Sequence, residues 1–358
     1  MTDPSDPRTH LPVLDGLRGL AAIVVVVSHC ANAGLLPAAL GQGLGQIGVG
    51  LFYALSGLLM GRLYLHRPLD RAGLAEYAIR RGARVLPLYY AALALGVAML
   101  VAGLSPYRLD GAGDVLRAAA LVQGTGVLWS IPVEIQFYVV FAGIWACARR
   151  GRLMVALAVL LAVQAVAAVA ILATIGLGPG LSHTYNLAFW LHLFLFGTLL
   201  GALSTRPRAM ALHGARGPAV TAGVAAFLAL SVLVPPGVRA ELGLPRVPAF
   251  ADPVGMGYPM LLLVAGLLGL GPMRLFAARP LRWLGRVSFS VYLLHMPVLA
   301  VVVTALSGWP AALQAALVVA ATLGLSALTE RGIETGAQRA ILRRGLARRA
   351  PAAGAGHA

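Results

Sequence analysis

Long apolar segments recur along the whole chain and set the main limit on its fold. The chain has 358 residues, of which 59% are hydrophobic and only 11% charged. Soluble domains carry about 25% charged residues, whereas apolar runs of about 18 residues or more are typical of membrane-spanning helices. The sequence therefore predicts an all-α, polytopic integral membrane protein, a bundle of about ten transmembrane helices.

The predicted spans are joined by short loops, and no separate soluble domain is expected. The spans lie at roughly 11–34, 46–65, 84–103, 131–148, 153–176, 187–204, 218–235, 255–271, 287–306 and 311–330. The segment 104–130 has room for a short re-entrant or interfacial helix. Residues 1–10 lack a cleavable signal-peptide pattern, so the first segment is expected to stay as a span. We assign 1–330 to a transmembrane domain and 331–358 to a basic cytoplasmic tail, expected to be partly disordered.

The arginines predict the orientation of the bundle. Every second loop is basic, and the tail is basic too. The residues concerned are Arg67, Arg71, Arg80, Arg81, Arg149, Arg150, Arg152, Arg206, Arg208, Arg216, Arg274, Arg279, Arg282, Arg286, Arg339, Arg343, Arg344, Arg348 and Arg349. The alternate loops hold several acids, including Asp110 and Glu241. By the positive-inside rule, both termini are predicted to be cytoplasmic.

The chain has no lysine, so its 28 basic residues are all arginine, and with 12 acidic residues they give a net charge of +16. Because this charge is divided among short loops rather than gathered on one face, no nucleic-acid partner is expected. Membrane lipid is the expected partner of the tail, whose positive charge suits an anionic membrane surface. Cys30 and Cys147 both fall in or beside apolar spans, which predicts neither a disulfide framework nor a metal site.

Arg18 and His29 lie within the first span, although ionisable groups at membrane depth are costly and are usually functional. They are eleven residues apart, which places them on one helix face and separates them by roughly 16 Å along the axis. This spacing suggests a site for a long ligand that is anionic at one end and reactive at the other. The alternative is that His29 is only a hydrogen-bonded interior residue.

A second group of basic residues, Arg80, Arg81 and Arg84, opens the third span. Residues three and four apart project together from a helix, and converging arginines make a good cradle for phosphates. Arg80 and Arg81 could instead be ordinary cytoplasmic anchors. Arg84 is harder to explain in that way, because it lies in the first turn of the span.

Two further polar groups occur in spans four and nine. Ser130, Glu134 and Tyr138 recur every four residues and form one stripe of a helix. Ser130 could simply cap the helix, and Glu134 could be either an ion-pair partner or a catalytic participant. In span nine, Tyr292 and His295 are one turn apart, where helix packing is the alternative interpretation. The small residues of span two, which include Ser56, are interpreted as a packing surface.

Five stretches, in this order, resemble the membrane-bound acyltransferase-3 family. They are Leu14-Asp15-Gly-Leu-Arg18-Gly-Leu-Ala-Ala with His29 eleven residues on, Val49-Gly50-Leu-Phe52-Tyr-Ala-Leu-Ser56-Gly57, Arg81-Gly-Ala-Arg84-Val-Leu-Pro87-Leu-Tyr89, Trp129-Ser130 with Glu134-Ile-Gln136-Phe137-Tyr138, and Ser290-Val-Tyr292-Leu-Leu-His295-Met-Pro297. The match covers nearly the whole chain. It departs from the family in span two, which reads Phe52-Tyr53-Ala where the family usually has Phe-Phe-Val, and at Ile131-Pro132.

The resemblance implies a ten-span enzyme of the bacterial cytoplasmic membrane. It implies O-acyl transfer from acyl-CoA, with acetyl as the default group, to a hydroxyl of a carbohydrate, such as a polysaccharide, or of a glycosylated metabolite. Acyl-CoA would be a donor substrate, and no permanently bound cofactor or metal is expected.

The resemblance also suggests roles for the polar residues. Arg18, Arg81 and Arg84 would hold the CoA phosphates. His29 would act as general base on the acceptor, because its unperturbed pKa of about 6.5 suits that task. Glu134 would support His29 or an acceptor hydroxyl. The residues expected to line the acceptor side are Ser130, Tyr138, Tyr292 and His295.

Two other classes of function stay open from the residues alone. A transporter or flippase of a glycan or lipid-linked substrate would share the buried charges but consume no thioester. A membrane scaffold would use the charges only for pairing, so that His29→Ala would impair assembly rather than chemistry. The oligomeric state is also open.

Overall fold

Helix is the only regular secondary structure in the part of the chain that the structure, a computed structural model, describes. The described residues are 11–175, 185–205, 238, 241–243, 253–269 and 271–347. Eight helical stretches among them are long and apolar enough to cross a membrane. The predicted fold class, a polytopic helical membrane protein, is thereby confirmed.

The helices are, in chain order, α1 (Pro12–Asn32), α2 (Leu44–Tyr64), α3 (Arg71–Val101), α4 (Ala112–Ala119), α5 (Ser130–Arg149), α6 (Leu153–Ile175), α7 (Leu187–Ser204), α8 (Pro253–Leu268), α9 (Arg279–Ala305), α10 (Ala311–Thr329) and α11 (Thr335–Ala347). Short 3-10 turns cover Ala38–Leu40, Gly126–Trp129 and Gly271–Ala277, and a π-helical turn covers Glu330–Glu334. Nine predicted spans coincide with apolar helices. The span predicted at 218–235 lies outside the described residues.

Two helices begin well before their apolar segments. α3 begins at Arg71, where the Asp70 carboxylate caps it by accepting a hydrogen bond from the Gly73 N–H at 2.6 Å. α9 begins at Arg279 rather than near residue 287. Hydropathy marks only the part of a helix that is apolar, whereas the helix itself extends to its cap. Arg81 and Arg84 therefore lie inside α3, where the helix fixes their relative direction.

α2 and α7 pack closely through glycines spaced four residues apart. Gly57 and Gly61 on α2 face Gly197 and Gly201 on α7. A Cβ atom on Gly61 would lie 2.5 Å from the carbonyl oxygen of Thr198. Small residues at this spacing let two helix backbones approach within a membrane, so the polar residues of α2 are held in a fixed position against the bundle.

The centre of the described bundle and its rim differ in exposure. α1, α2 and α9 bury most of their apolar side chains, whereas α6 leaves residues such as Val166 (70% exposed) and Val169 (67% exposed) uncovered. An apolar helix with an uncovered face is suited to contact lipid. The polar residues of interest lie on the central helices, away from that rim.

The segment 104–130 folds back against the bundle and contains α4. Hydroxyl groups on three tyrosines fix it: Tyr89 donates to the Ala118 carbonyl, Tyr107 to the Leu293 carbonyl and Tyr292 to the Val127 carbonyl, each at 2.8 Å. At the other end of the chain, residues of the predicted tail continue as the π-helical turn and α11, which packs against α3.

Candidate active site

Two cavities divide the polar residues of the described bundle. The first, the arginine cavity, has a volume of about 70 Å³ and is lined by residues of α1, α2, α3, α5 and α9. Its polar lining consists of Arg18, Tyr53, Ser56, Arg81, Arg84, Ser130, Glu134, Tyr138 and Tyr292. The second, the histidine cavity, has a volume of about 620 Å³. Arg18 and His29 share one face of α1 but open into these different cavities, Arg18 into the first and His29 into the second.

The arginine cavity holds unused hydrogen-bond donors. The Nε groups of Arg18 and Arg81 are buried and have no hydrogen-bond partner among the described residues. One further nitrogen of Arg81, Nη2, donates weakly to the Tyr64 hydroxyl at 3.4 Å. Buried polar groups in proteins are nearly always paired. Two guanidinium groups whose buried Nε–H donors lack a partner among the described residues therefore form a site that an anion would complete.

Glu134 lies on the α5 wall of the arginine cavity. Its Oε1 atom accepts hydrogen bonds from the Ser56 hydroxyl at 2.8 Å and from the Tyr138 hydroxyl at 2.6 Å. Tyr138 is one helical turn from Glu134 on α5, whereas Ser56 comes from α2. The carboxylate thus joins two helices and offsets part of the positive charge of the cavity.

The histidine cavity is wide and mixed in charge. It is lined by the loop around α4 and by the ends of α1, α2 and α9, with Asn32, Gln46, Arg108, Asp110, Asp114, Arg117, Gln123, Trp129 and Tyr185 among its residues. A hydrogen bond from the Asp110 N–H, together with Arg117, holds the pKa of the Asp114 carboxyl below its usual range. Asp114 is therefore ionised at neutral pH, and the cavity offers charges of both signs beside aromatic rings.

His29 is held by a second histidine. Its Nδ1 atom lies 2.9 Å from the Val25 carbonyl oxygen and 3.3 Å from Nε2 of His295. The Nδ1 atom of His295 lies 3.2 Å from the Val291 carbonyl oxygen. Because a carbonyl oxygen only accepts, each Nδ1 is assigned the hydrogen.

With the hydrogen on each Nδ1, the Nε2 atom of each histidine carries a lone pair. Nε2 of His295 accepts a hydrogen bond from the Nδ1–H of His29, which is shared with the Val25 carbonyl. Nε2 of His29 has no hydrogen-bond partner among the described residues, so its lone pair is free, and His29 lines the histidine cavity. A neutral imidazole with a free Nε2 is the state that a general base requires.

A thin wall separates the two cavities. Val49 and Tyr292 line both of them. The Tyr292 ring packs edge-on against Phe52, with 6.0 Å between ring centroids, and its hydroxyl is tied to Val127. A molecule that bound the arginines at one end and reached His29 at the other would have to pass this wall.

The structure brings most of the predicted site residues together, although in two groups. Arg18, Arg81, Arg84, Ser130, Glu134 and Tyr138 share the arginine cavity. Tyr292 faces both cavities, and His295 lies behind His29, fully buried. Among the described residues, the hydrogen bonds to Glu134 come from Ser56 and Tyr138 and not from His29.

The sequence interpretation gave no role in a site to three polar residues that the structure places in the lining of these cavities or in contact with it. Ser56 was assigned to helix packing, but its hydroxyl binds Glu134. Arg108 lines the histidine cavity from a loop, where no periodicity marks it. Glu334 contacts Arg84 from the segment assigned to the tail. The only sequence feature that distinguishes Glu334 is that it is an acidic residue within a basic segment.

The described residues contain no group of three or more His, Cys, Asp or Glu side chains placed to hold a metal ion. The two cysteines are free.

The fold is that of a polytopic helical membrane protein, and the comparisons with known proteins place the chain among the acyltransferases. Residues 11–331 match the family described as "Acyltransferase domain", and the chain belongs to that family. It is similar to the exopolysaccharide production protein ExoZ of Rhizobium meliloti (strain 1021), with 30% identity over 333 residues, 88% of this chain and 95% of ExoZ. It also resembles the peptidoglycan O-acetyltransferase OatA of Listeria monocytogenes serovar 1/2a, with 26% identity over 377 residues. That match covers 92% of this chain but only 56% of OatA. No solved structure is significantly similar to the chain.

Proposed function

We propose that this protein transfers an acyl group, acetyl by default, from acyl-CoA to a hydroxyl of a carbohydrate or glycosylated metabolite in the bacterial cytoplasmic membrane. The observation that carries the proposal is the placing of His29. It lines a wide polar cavity, and one side-chain layer away lies a cavity lined by three arginines. A donor with phosphates at one end and a thioester at the other fits that arrangement.

The arginine cavity supports the choice of donor. Arg18, Arg81 and Arg84 would bind the CoA phosphates, since guanidinium groups form strong charge-assisted hydrogen bonds with phosphate. The free Nε groups of Arg18 and Arg81 would gain acceptors that the described protein does not supply. The pantetheine arm would then run along α1, where roughly 16 Å separates Arg18 from His29.

The two histidines support the choice of base. Nε2 of His29 would take the proton from the acceptor hydroxyl as the oxygen attacks the thioester carbonyl. The C–S bond then breaks and CoA leaves as the thiol, after proton transfer from the imidazolium. The lone pair on Nε2 of His295 would stabilise the charge that forms on His29 during this step.

Glu134 would act from the donor side. It holds the hydroxyl groups of Ser56 and Tyr138 and balances the arginines while the cavity is empty. Ser130, which lines the same cavity, and Tyr292, which lines both cavities, would contact the substrate arm as it passes.

The histidine cavity would receive the acceptor. Its amides, charged groups and aromatic rings are the groups that bind sugar hydroxyls and sugar faces. The names of both relatives refer to carbohydrate polymers, an exopolysaccharide and peptidoglycan, and OatA is named an O-acetyltransferase. Both names support a carbohydrate acceptor, and the name of OatA supports acetyl as the first acyl group to test.

The test is acceptor-dependent release of CoA thiol by the purified protein in detergent, with acetyl-CoA and a panel of saccharides. Wild type is compared with His29→Ala and with His192→Ala, a histidine on α7 that lines neither cavity and bonds to Gln164. The proposal requires that His29→Ala abolishes release and that His192→Ala retains it. A folded wild-type protein that binds no acyl-CoA would contradict the proposal.

A further inference from the structure

Glu334 is a buried carboxylate outside the two cavities. It ends the π-helical turn that joins α10 to α11, and its side chain is only 3% exposed. The family match ends at residue 331, before this position. A buried carboxylate is costly unless it is paired, so its partners indicate why it is there.

The partners of Glu334 come from two other helices. Its Oε1 atom accepts a hydrogen bond from the hydroxyl of Ser290 on α9. Its Oε2 atom lies 3.7 Å from Nη1 of Arg84 on α3 and has no hydrogen-bond partner among the described residues. Arg84 itself is 30% exposed. Ser290 therefore fixes the carboxylate, and the carboxylate holds a side chain that otherwise has access to solvent.

The π-helical turn accounts for the direction of the carboxylate. A π turn adds one residue to a helix and so rotates the residues that follow by about 100°. Such turns occur frequently at functional sites. Glu330 begins the same turn, but its carboxylate accepts a hydrogen bond locally from the Thr335 hydroxyl at 3.3 Å. The two glutamates thus share a turn, but only Glu334 contacts Arg84, a residue that lines the arginine cavity.

We infer that Glu334 is a positioning residue for the donor: it holds Arg84 in the direction needed to bind the CoA phosphates. The inference rests on the proposed function. Arg84 has four rotatable side-chain bonds and is partly exposed, so without the carboxylate its guanidinium would leave the cavity in many of its conformations. Holding a binding group in place before the ligand arrives raises affinity because the ordering has already occurred.

A competing explanation is that the charge of Glu334 weakens donor binding rather than supporting it. Glu334 could compete with phosphate for Arg84, and its removal would then strengthen donor binding. The position of Arg84 in the cavity lining, together with the long 3.7 Å contact, favours positioning. The contact is close enough to orient the guanidinium, yet it leaves the N–H donors free for phosphate.

The experiment measures CoA binding by calorimetry, and the KM and kcat for acetyl-CoA, in full-length protein. Glu334→Gln keeps the size of the side chain and its hydrogen bond with Ser290 but removes the charge. We expect the donor Kd and KM to rise about tenfold with little change in kcat. Glu330→Gln, the matched change on the same turn, should leave both constants unchanged.

A double-mutant cycle separates positioning from a general structural effect. In an Arg84→Gln background, Glu334→Gln should have no further effect on donor binding, because the residue through which it acts is gone. Equal losses in both backgrounds, unchanged donor binding in Glu334→Gln, or tighter binding would each overturn the inference. Wild-type protein that binds no CoA would instead overturn the proposed function itself.

Discussion

Nε2 of His295 lies 3.3 Å from Nδ1 of His29, although 266 residues separate the two in the chain. Their rings are tilted by 57°, with 5.0 Å between centroids. His295 is fully buried on α9, while His29 lines the histidine cavity from α1. The pair therefore consists of a histidine that can meet substrate and a second that can only act through the first.

This geometry predicts different results for substitutions of His295. His295→Leu should lower kcat by about a hundredfold, because it removes the lone pair that would stabilise the positive charge forming on His29 during transfer. His295→Gln should keep much of the activity, since its amide oxygen can accept from Nδ1–H at nearly the same position. The measurement is kcat for thiol release, with CoA binding as a control that neither change should alter. Similar losses in both variants would show that His295 serves only packing.

The neighbouring arginines of α3 give a matched test of the donor site. Arg81→Gln should raise the donor KM by about tenfold or more, because it removes a charged hydrogen-bond donor from the arginine cavity. Arg80→Gln should have little effect, since Arg80 pairs with Glu76 on the helix surface at 2.7 Å and does not line the cavity. Titrations with CoA and with dephosphorylated analogues check this, and equal effects at both positions would refute it.

Features set by residues that are close together in the chain can be predicted from the sequence, whereas contacts between distant segments cannot. Apolar runs are local, so nine predicted spans coincide with helices. The convergence of Arg81 and Arg84 follows from helical spacing alone. The His29–His295 contact and the Ser56–Glu134 hydrogen bond join distant segments, and no local pattern specifies which helices will be neighbours.

Two further features, the start of α3 and the burial of Glu334, could not be predicted from the sequence for a different reason. The start of α3 lies in a polar stretch that hydropathy does not detect, and it is set by the Asp70 cap. Glu334 lies in a segment whose overall charge predicted a basic cytoplasmic tail, and it is buried at the end of a π-helical turn. A single acidic residue in a basic segment is a weak signal until the tertiary contact with Arg84 is known.

Because Tyr292 separates the two cavities, we expect its replacement to increase hydrolysis of the acyl donor. In the proposed function the substrate arm passes Tyr292 to reach His29, so Tyr292→Ala would remove packing around the arm and admit more water to the thioester. We expect acceptor-independent hydrolysis of acetyl-CoA to rise several-fold relative to transfer, because exclusion of water protects reactive substrates. Phe289→Ala enlarges the arginine cavity without touching the histidine cavity and should not raise hydrolysis. Thiol release without acceptor measures both, and no difference between the variants would argue against a separating wall.

The glycine contact between α2 and α7 predicts a loss of stability that is specific to position. In Gly61→Ala the new methyl group would lie 2.5 Å from the Thr198 carbonyl oxygen, so the helices must move apart, at a cost of about 1–3 kcal/mol. Gly143→Ala on α5 is the control, because a Cβ there meets nothing within 4 Å and alanine favours helix by about 1 kcal/mol over glycine. Thermal unfolding in detergent should therefore show a lower Tm for Gly61→Ala and an equal or higher Tm for Gly143→Ala.

Since Ser56 lies on the same helix as Gly61, a separated α2 would also weaken the Ser56–Glu134 hydrogen bond. Activity of Gly61→Ala should accordingly fall even below its unfolding temperature, and a variant with wild-type Tm and wild-type activity would show that this contact does not hold the site.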